Sequence, residues 1–94
     1  MAKETMNQHA KKLLFANAES CQFCELKLKF ESEKMSEYDK NQTKNNRVRF
    51  YGRCEALMEL LGHRVSEPIY YEGLWSARTR YAKEHNLNVD SFDW

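Results

Sequence analysis

The first 51 residues contain neither glycine nor proline, and then Gly52, Gly62, Pro68 and Gly73 arrive close together. A stretch of that length without breakers, rich in Lys, Glu, Leu and Ala, favours extended helix. The later punctuation divides the second half into shorter elements. The expected architecture is therefore mainly α, a small helical bundle with a long N-terminal helix, forming a single domain over residues 1–94. A chain of 94 residues has a modest core, which a second copy or a target often completes.

Placed on a helical wheel, Met6, Ala10, Leu13, Leu14, Cys21, Cys24, Leu28 and Met35 fall on one side of a single long helix. Phe15, Phe23, Leu26 and Phe30 fall on roughly the opposite side. A helix with two apolar stripes needs cover on both. Either its own chain covers it twice, or one stripe meets a second subunit or a target. The same residues carry a competing pattern. Cys24, Leu26, Leu28 and Phe30 alternate with charged residues, as does Arg47-Val48-Arg49-Phe50. The alternative fold is thus α+β, with a short sheet from 24–30 and 47–51.

Asp39 to Asn46, polar and rich in Asn, reads as a connecting loop. Phe50, Tyr51, Cys54, Leu57, Met58 and Leu61 then share one helical face, closed by Gly62 in a left-handed C-terminal position. Pro68 suits the first turn of a last helix, and Asn86-Leu87 suits its end. Tyr70, Tyr71, Leu74, Trp75, Ala77, Tyr81 and Ala82 share a broad face on it. The tail NVDSFDW carries two aromatics and two acids, which either dock on the body or offer a short acidic-aromatic contact.

Net charge is +1, so no general attraction to nucleic acid or anionic membrane is expected. The distribution is uneven: Lys40, Lys44, Arg47, Arg49 and Arg53 lie in a segment, 40–54, without an acid. Interleaved with Phe50 and Tyr51, Lys44, Arg47, Arg49 and Arg53 form the candidate nucleic-acid contact. No apolar run approaches the length of a membrane span, and the N-terminus lacks a signal-peptide core. With three cysteines and no secretion signal, the expected location is the cytoplasm, with reduced thiols and no membrane contact.

Cys21-x-x-Cys24 has the spacing of a zinc-binding pair, and Cys54 with His63 could complete a tetrahedron. Cys54 and His63 are too far apart to form the second close pair that zinc sites favour. Without metal the thiols sit on an apolar stripe as small hydrophobes. His9, His63 and His85 have no acid or nucleophile at a telling spacing, and three glycines leave little for a phosphate-cradling loop. No cofactor and no enzymatic activity are expected. Arg78, one turn after Leu74 and Trp75 and two after Tyr71, is placed to stack on either aromatic. Trp, Tyr and Arg together dominate binding energy at protein interfaces. The expected partner-binding residues are Phe23 and Phe30 on the first helix and Tyr71, Trp75 and Arg78 on the last.

The run Arg49-Phe50-Tyr51-Gly52-Arg53-Cys54-Glu55-Ala56-Leu57-Met58-Glu59-Leu60-Leu61-Gly62 resembles small accessory proteins of bacteriophages and prophages, in which an aromatic-Gly-Arg start leads into a Leu-rich helix closed by Gly. The resemblance covers these 14 residues and carries no catalytic residue over. It implies a setting in the host cytoplasm: small proteins that bind and block a host or defence component, with inhibitors of CRISPR nucleases as one such group. The function expected of the chain is a protein–protein interaction module, either a homodimer or the ligand of a protein target, acting by steric blocking; the alternatives are a small nucleic-acid-binding regulatory protein using the basic segment 40–54 and a zinc-stabilised module.

Overall fold

The computed structural model describes residues 5–94, which form three α-helices: α1 (Met6–Glu31), α2 (Glu37–Leu61) and α3 (His63–Glu84). A 3-10 turn, Ser32–Lys34, joins the first two. Among the described residues there is no strand, so the α+β alternative is overturned: 24–30 lies inside α1 and 47–51 inside α2. The two-residue alternation has a helical cause. Leu26 and Phe30 face Tyr81 of α3, while Cys24 and Leu28 lie roughly opposite on the same helix. A helix covered from two sides can bear apolar residues at both phases.

Local chemistry sets the helix boundaries. Thr5 and Gln8 form a capping box: the Gln8 N–H donates to the Thr5 hydroxyl (3.1 Å) and the Thr5 N–H to the Gln8 side chain (2.9 Å). α1 stops at Glu31, so Met35 is not on it, contrary to the single-helix reading. The Ser36 hydroxyl accepts the Asp39 N–H at 3.1 Å, with Glu37 and Asp39 at the positive end of the helix dipole. The cap initiates α2 ahead of Asp39–Asn46, which is helix and not a loop. Its Asn and Thr residues are poor helix formers, but it contains no breaker. The chain reverses at 32–36 instead.

Gly62 is both the end of α2 and the start of α3, at φ 84° and ψ 153°. Its positive φ is as expected, but its ψ lies outside the left-handed helical region, in territory almost confined to glycine. Its N–H donates to Met58 O (2.8 Å) and its carbonyl accepts from Ser66 N–H (3.0 Å), so α3 begins at His63. Pro68 therefore lies inside the helix and not at its first turn. Its missing N–H frees the Arg64 carbonyl at an exposed position, where water can satisfy it. α3 ends as expected: Asn86 takes φ 55° and the Leu87 N–H reaches back to Ala82 O at 2.8 Å.

α1 is the central element. α2 returns antiparallel to it and α3 runs parallel, each packing along α1, while α2 and α3 touch one another far less. The chain thus covers α1 twice by itself. Near Gly62, Leu14, Ala18 and Cys54 form the core with Leu57, Met58, Leu61, Ile69 and Tyr70 around them. At the other end, Leu26, Ala77 and Tyr81 are packed by Phe23, Phe30, Leu87 and Trp94. Among the described residues, no helix is long and apolar enough to cross a membrane.

Candidate interaction surfaces

The five residues expected to bind a partner fall into two groups. Phe23 and Phe30 are half-buried and occupied internally. Phe23 meets Tyr81 edge-on at 5.9 Å and carries the Arg80 guanidinium 4.2 Å from its centroid. Phe30 contacts Tyr81, Phe92 and Trp94 at centroid distances of 5.9, 5.3 and 6.2 Å. The aromatic tail folds back over Phe30. Trp94 is pinned there by its indole N–H to Val89 O (2.9 Å) and by Lys29, whose ammonium donates to the Trp94 main-chain oxygen.

Tyr71 and Trp75 stay outside, 55% and 49% exposed, one turn apart on α3. Tyr71 touches Tyr70 edge-on at 6.2 Å, and Tyr70 is held by the Gln22 side-chain amide donating to its hydroxyl at 2.9 Å. Burial pushes the Tyr70 hydroxyl up to about 12, so it remains a neutral hydrogen-bonding group. Arg78 is half-buried and stacks on Trp94 (5.9 Å) rather than on Trp75 or Tyr71, and its buried Nε has no hydrogen-bond partner among the described residues.

The basic segment 40–54 is continuous in sequence but not on the surface. Arg47 and Arg49, two residues apart on α2, point about 200° around the helix from one another. Arg47 turns inward to Glu25 of α1 at 3.8 Å. Arg49 and Arg53 lie against the Phe50 ring, at 5.9 and 5.8 Å from its centroid. Lys44 is exposed on the side of Arg47 rather than with that pair. The four cations therefore form no single face.

Cys21 and Cys54 are fully buried between α1 and α2, and Cys24 is half-buried. The Cys21 thiol donates to Arg47 O at 3.7 Å. Burial, reinforced by Glu25 and the neighbouring thiols, pushes Cys21 up to about 12, and burial alone takes Cys54 to about 11; Cys24 is also raised, chiefly by burial, against the lowering pull of Lys27 and Arg47. Such thiols are packing groups, poorly suited to thiolate chemistry. His63 stands exposed at the elbow, and among the described residues no three His, Cys, Asp or Glu side chains are grouped to hold a metal ion.

Sequence reasoning did not single out the outer face of α2. There Val48 and Tyr51 are exposed, and two shallow depressions run along the helix. One, of about 500 Å³, is lined by Tyr51, Glu55, Met58, Glu59, Gly62 and His63. The other, of about 300 Å³, shares Tyr51 and Glu55 and continues to Gly52, Val48, Arg47 and Glu25. Compared with protein-family models, curated proteins and solved structures, the chain matches none.

Proposed function

We propose that this chain is a non-enzymatic protein-interaction module that acts by sterically occupying a partner's surface. It would act in the manner of the phage-encoded inhibitors of host or defence proteins that its Arg49–Gly62 segment resembles. The observation that carries the reading is the pair Tyr71 and Trp75. Both rings stand half-exposed on a rigid helix, beside an arginine, and neither belongs to either core cluster. Large aromatics on a rigid element lose little entropy on binding and serve as anchors.

The test is affinity capture from bacterial lysate treated with nuclease, comparing the wild-type chain with Tyr71→Ala/Trp75→Ala. The expected result is a stoichiometric protein partner that survives nuclease and is lost with the double variant, while the melting temperature stays close to wild type. A partner retained by the double variant, or material released entirely by nuclease, overturns the reading.

A further inference from the structure

The outer seam of α2 holds three features that cost the free chain stability and that nothing in the fold explains. The first is Gly52. It sits in mid-helix with no atom of the described residues within 4 Å of the place a Cβ would occupy, so no close approach among them requires it. A glycine there costs roughly 0.5–1 kcal/mol relative to alanine. The second is the pair Glu55 and Glu59, like charges one turn apart, near the negative end of the α2 dipole. No basic residue stands in the last turn, and among the described residues neither glutamate has an ion pair. The third is Val48 and Tyr51, apolar groups left in water.

All three lie on one line. Val48, Tyr51 and Gly52, Glu55, Met58 and Glu59, and Gly62 recur at alternating steps of three and four residues, the spacing of a helix-packing seam. The seam borders the side on which α2 and α3 separate over α1, and its two depressions merge at Tyr51 and Glu55. Because Arg47 already neutralises Glu25 at 3.8 Å, the charge left uncompensated is that of Glu55 and Glu59.

We infer that this seam docks a basic amphipathic helix from a partner protein, with the occupant's backbone approaching over Gly52, its apolar residues on Val48, Tyr51 and Met58, and its Lys or Arg side chains on Glu55 and Glu59. Such a helix relieves each cost at once. It fills the space over the glycine, removes the apolar groups from water and places cations at the α2 C-terminus. The seam lies on α2, apart from Tyr71 and Trp75, so it stands or falls independently of that pair.

The test uses fluorescence anisotropy of a labelled, end-blocked amphipathic Leu/Lys peptide of about 15 residues, a length at which an isolated helix becomes viable. Its Leu/Glu counterpart of identical pattern is the control. The Leu/Lys peptide is expected to bind the full chain and the Leu/Glu peptide to fail. Glu55→Gln/Glu59→Gln is expected to weaken binding about tenfold, with the salt dependence of binding reduced. Gly52→Leu decides the geometry: it keeps both charges, replaces glycine by a good helix former, and is expected to weaken binding about tenfold while raising the melting temperature. Trp75→Ala is expected to bind the peptide as wild type does. Equal binding of both peptides, binding indifferent to Gly52→Leu, or self-association of the chain through this seam that the peptide does not displace overturns the inference.

Discussion

A Cβ built on Gly73 would lie 2.6 Å from the Ala18 Cβ and 3.1 Å from both the Glu19 nitrogen and the Phe15 carbonyl oxygen. α3 therefore approaches α1 closely enough that one methyl group must displace backbone. At Gly52 the same methyl meets nothing. The same substitution should thus act with opposite signs at the two sites. Gly73→Ala gains helix propensity but overpacks a helix interface, and should lose about 1–2 kcal/mol in urea unfolding. Gly52→Ala should gain about 0.5–1 kcal/mol. Ala18→Gly combined with Gly73→Ala should lose less than the sum of the single losses, because the added methyl then has room. Additive losses would show that the interface is not limited by this contact.

At the scale of elements, the chain beyond α3 behaves as a strap. Leu87 is turned back by the bond to Ala82, and Phe92 and Trp94 stack edge-on at 4.7 Å over Phe30. His85 joins it, stacked on Tyr81 at 4.0 Å and with Nε2 3.8 Å from Glu31. Trp94→Ala removes the ring that Phe30, Tyr81 and Arg78 share. For a half-buried tryptophan the expected cost is about 2 kcal/mol. The localised signature should be faster amide hydrogen exchange in the last turns of α1 and α3, with the Gly62 end of the bundle unchanged. Uniform acceleration across all three helices would mean that the tail is part of one cooperative core.

For the molecule as a whole, the two clusters of buried weak acids set an alkaline limit. The Cys21 and Cys54 thiols move from the usual 9.0 up to about 12 and about 11, and the Tyr70 and Tyr81 hydroxyls from 10.0 up to about 12, all chiefly by burial. A raised folded-state pKa means that the unfolded chain releases its proton first. The associated stability is therefore fully present below pH 9 and is lost as pH climbs from 9 towards 12. The melting temperature should be level from neutral pH to about 8.5 and fall steeply above 9. Cys21→Ala/Cys54→Ala should flatten the fall between 9 and 10, leaving the tyrosines to govern it above that. An unchanged profile would show that the thiols are not desolvated in solution.

Read alone, the sequence favoured a mainly helical chain without excluding a short sheet at 24–30 and 47–51. Fifty-one residues without a breaker, Gly62 as the only residue type at ease at its elbow, and Asn86-Leu87 as a terminator are local conditions, and local sterics and hydrogen bonding satisfy them without knowledge of the rest. The two apolar stripes of α1 were legible too, but the broad face read for Tyr71, Trp75, Ala77, Tyr81 and Ala82 splits into exposed Tyr71 and Trp75 and buried Ala77, Tyr81 and Ala82. Helical spacing fixes direction around an axis, but it cannot say what stands opposite. Phe23 and Phe30 recur at helical spacing as Tyr71 and Trp75 do, yet Tyr81 and Arg80 of α3 cover Phe23 and a tail more than 60 residues later covers Phe30, while Tyr71 and Trp75 stay about half exposed. Asp39–Asn46 is polar enough to be a loop and becomes helix because the Ser36 cap initiates it and α1 supports the helix that follows. The segment of five cations became two separate sets once wound at 3.6 residues per turn, with Glu25 opposite Arg47 and Phe50 beneath Arg49 and Arg53. Those outcomes rest on contacts between residues far apart in sequence, and only the tertiary structure decides which of them form.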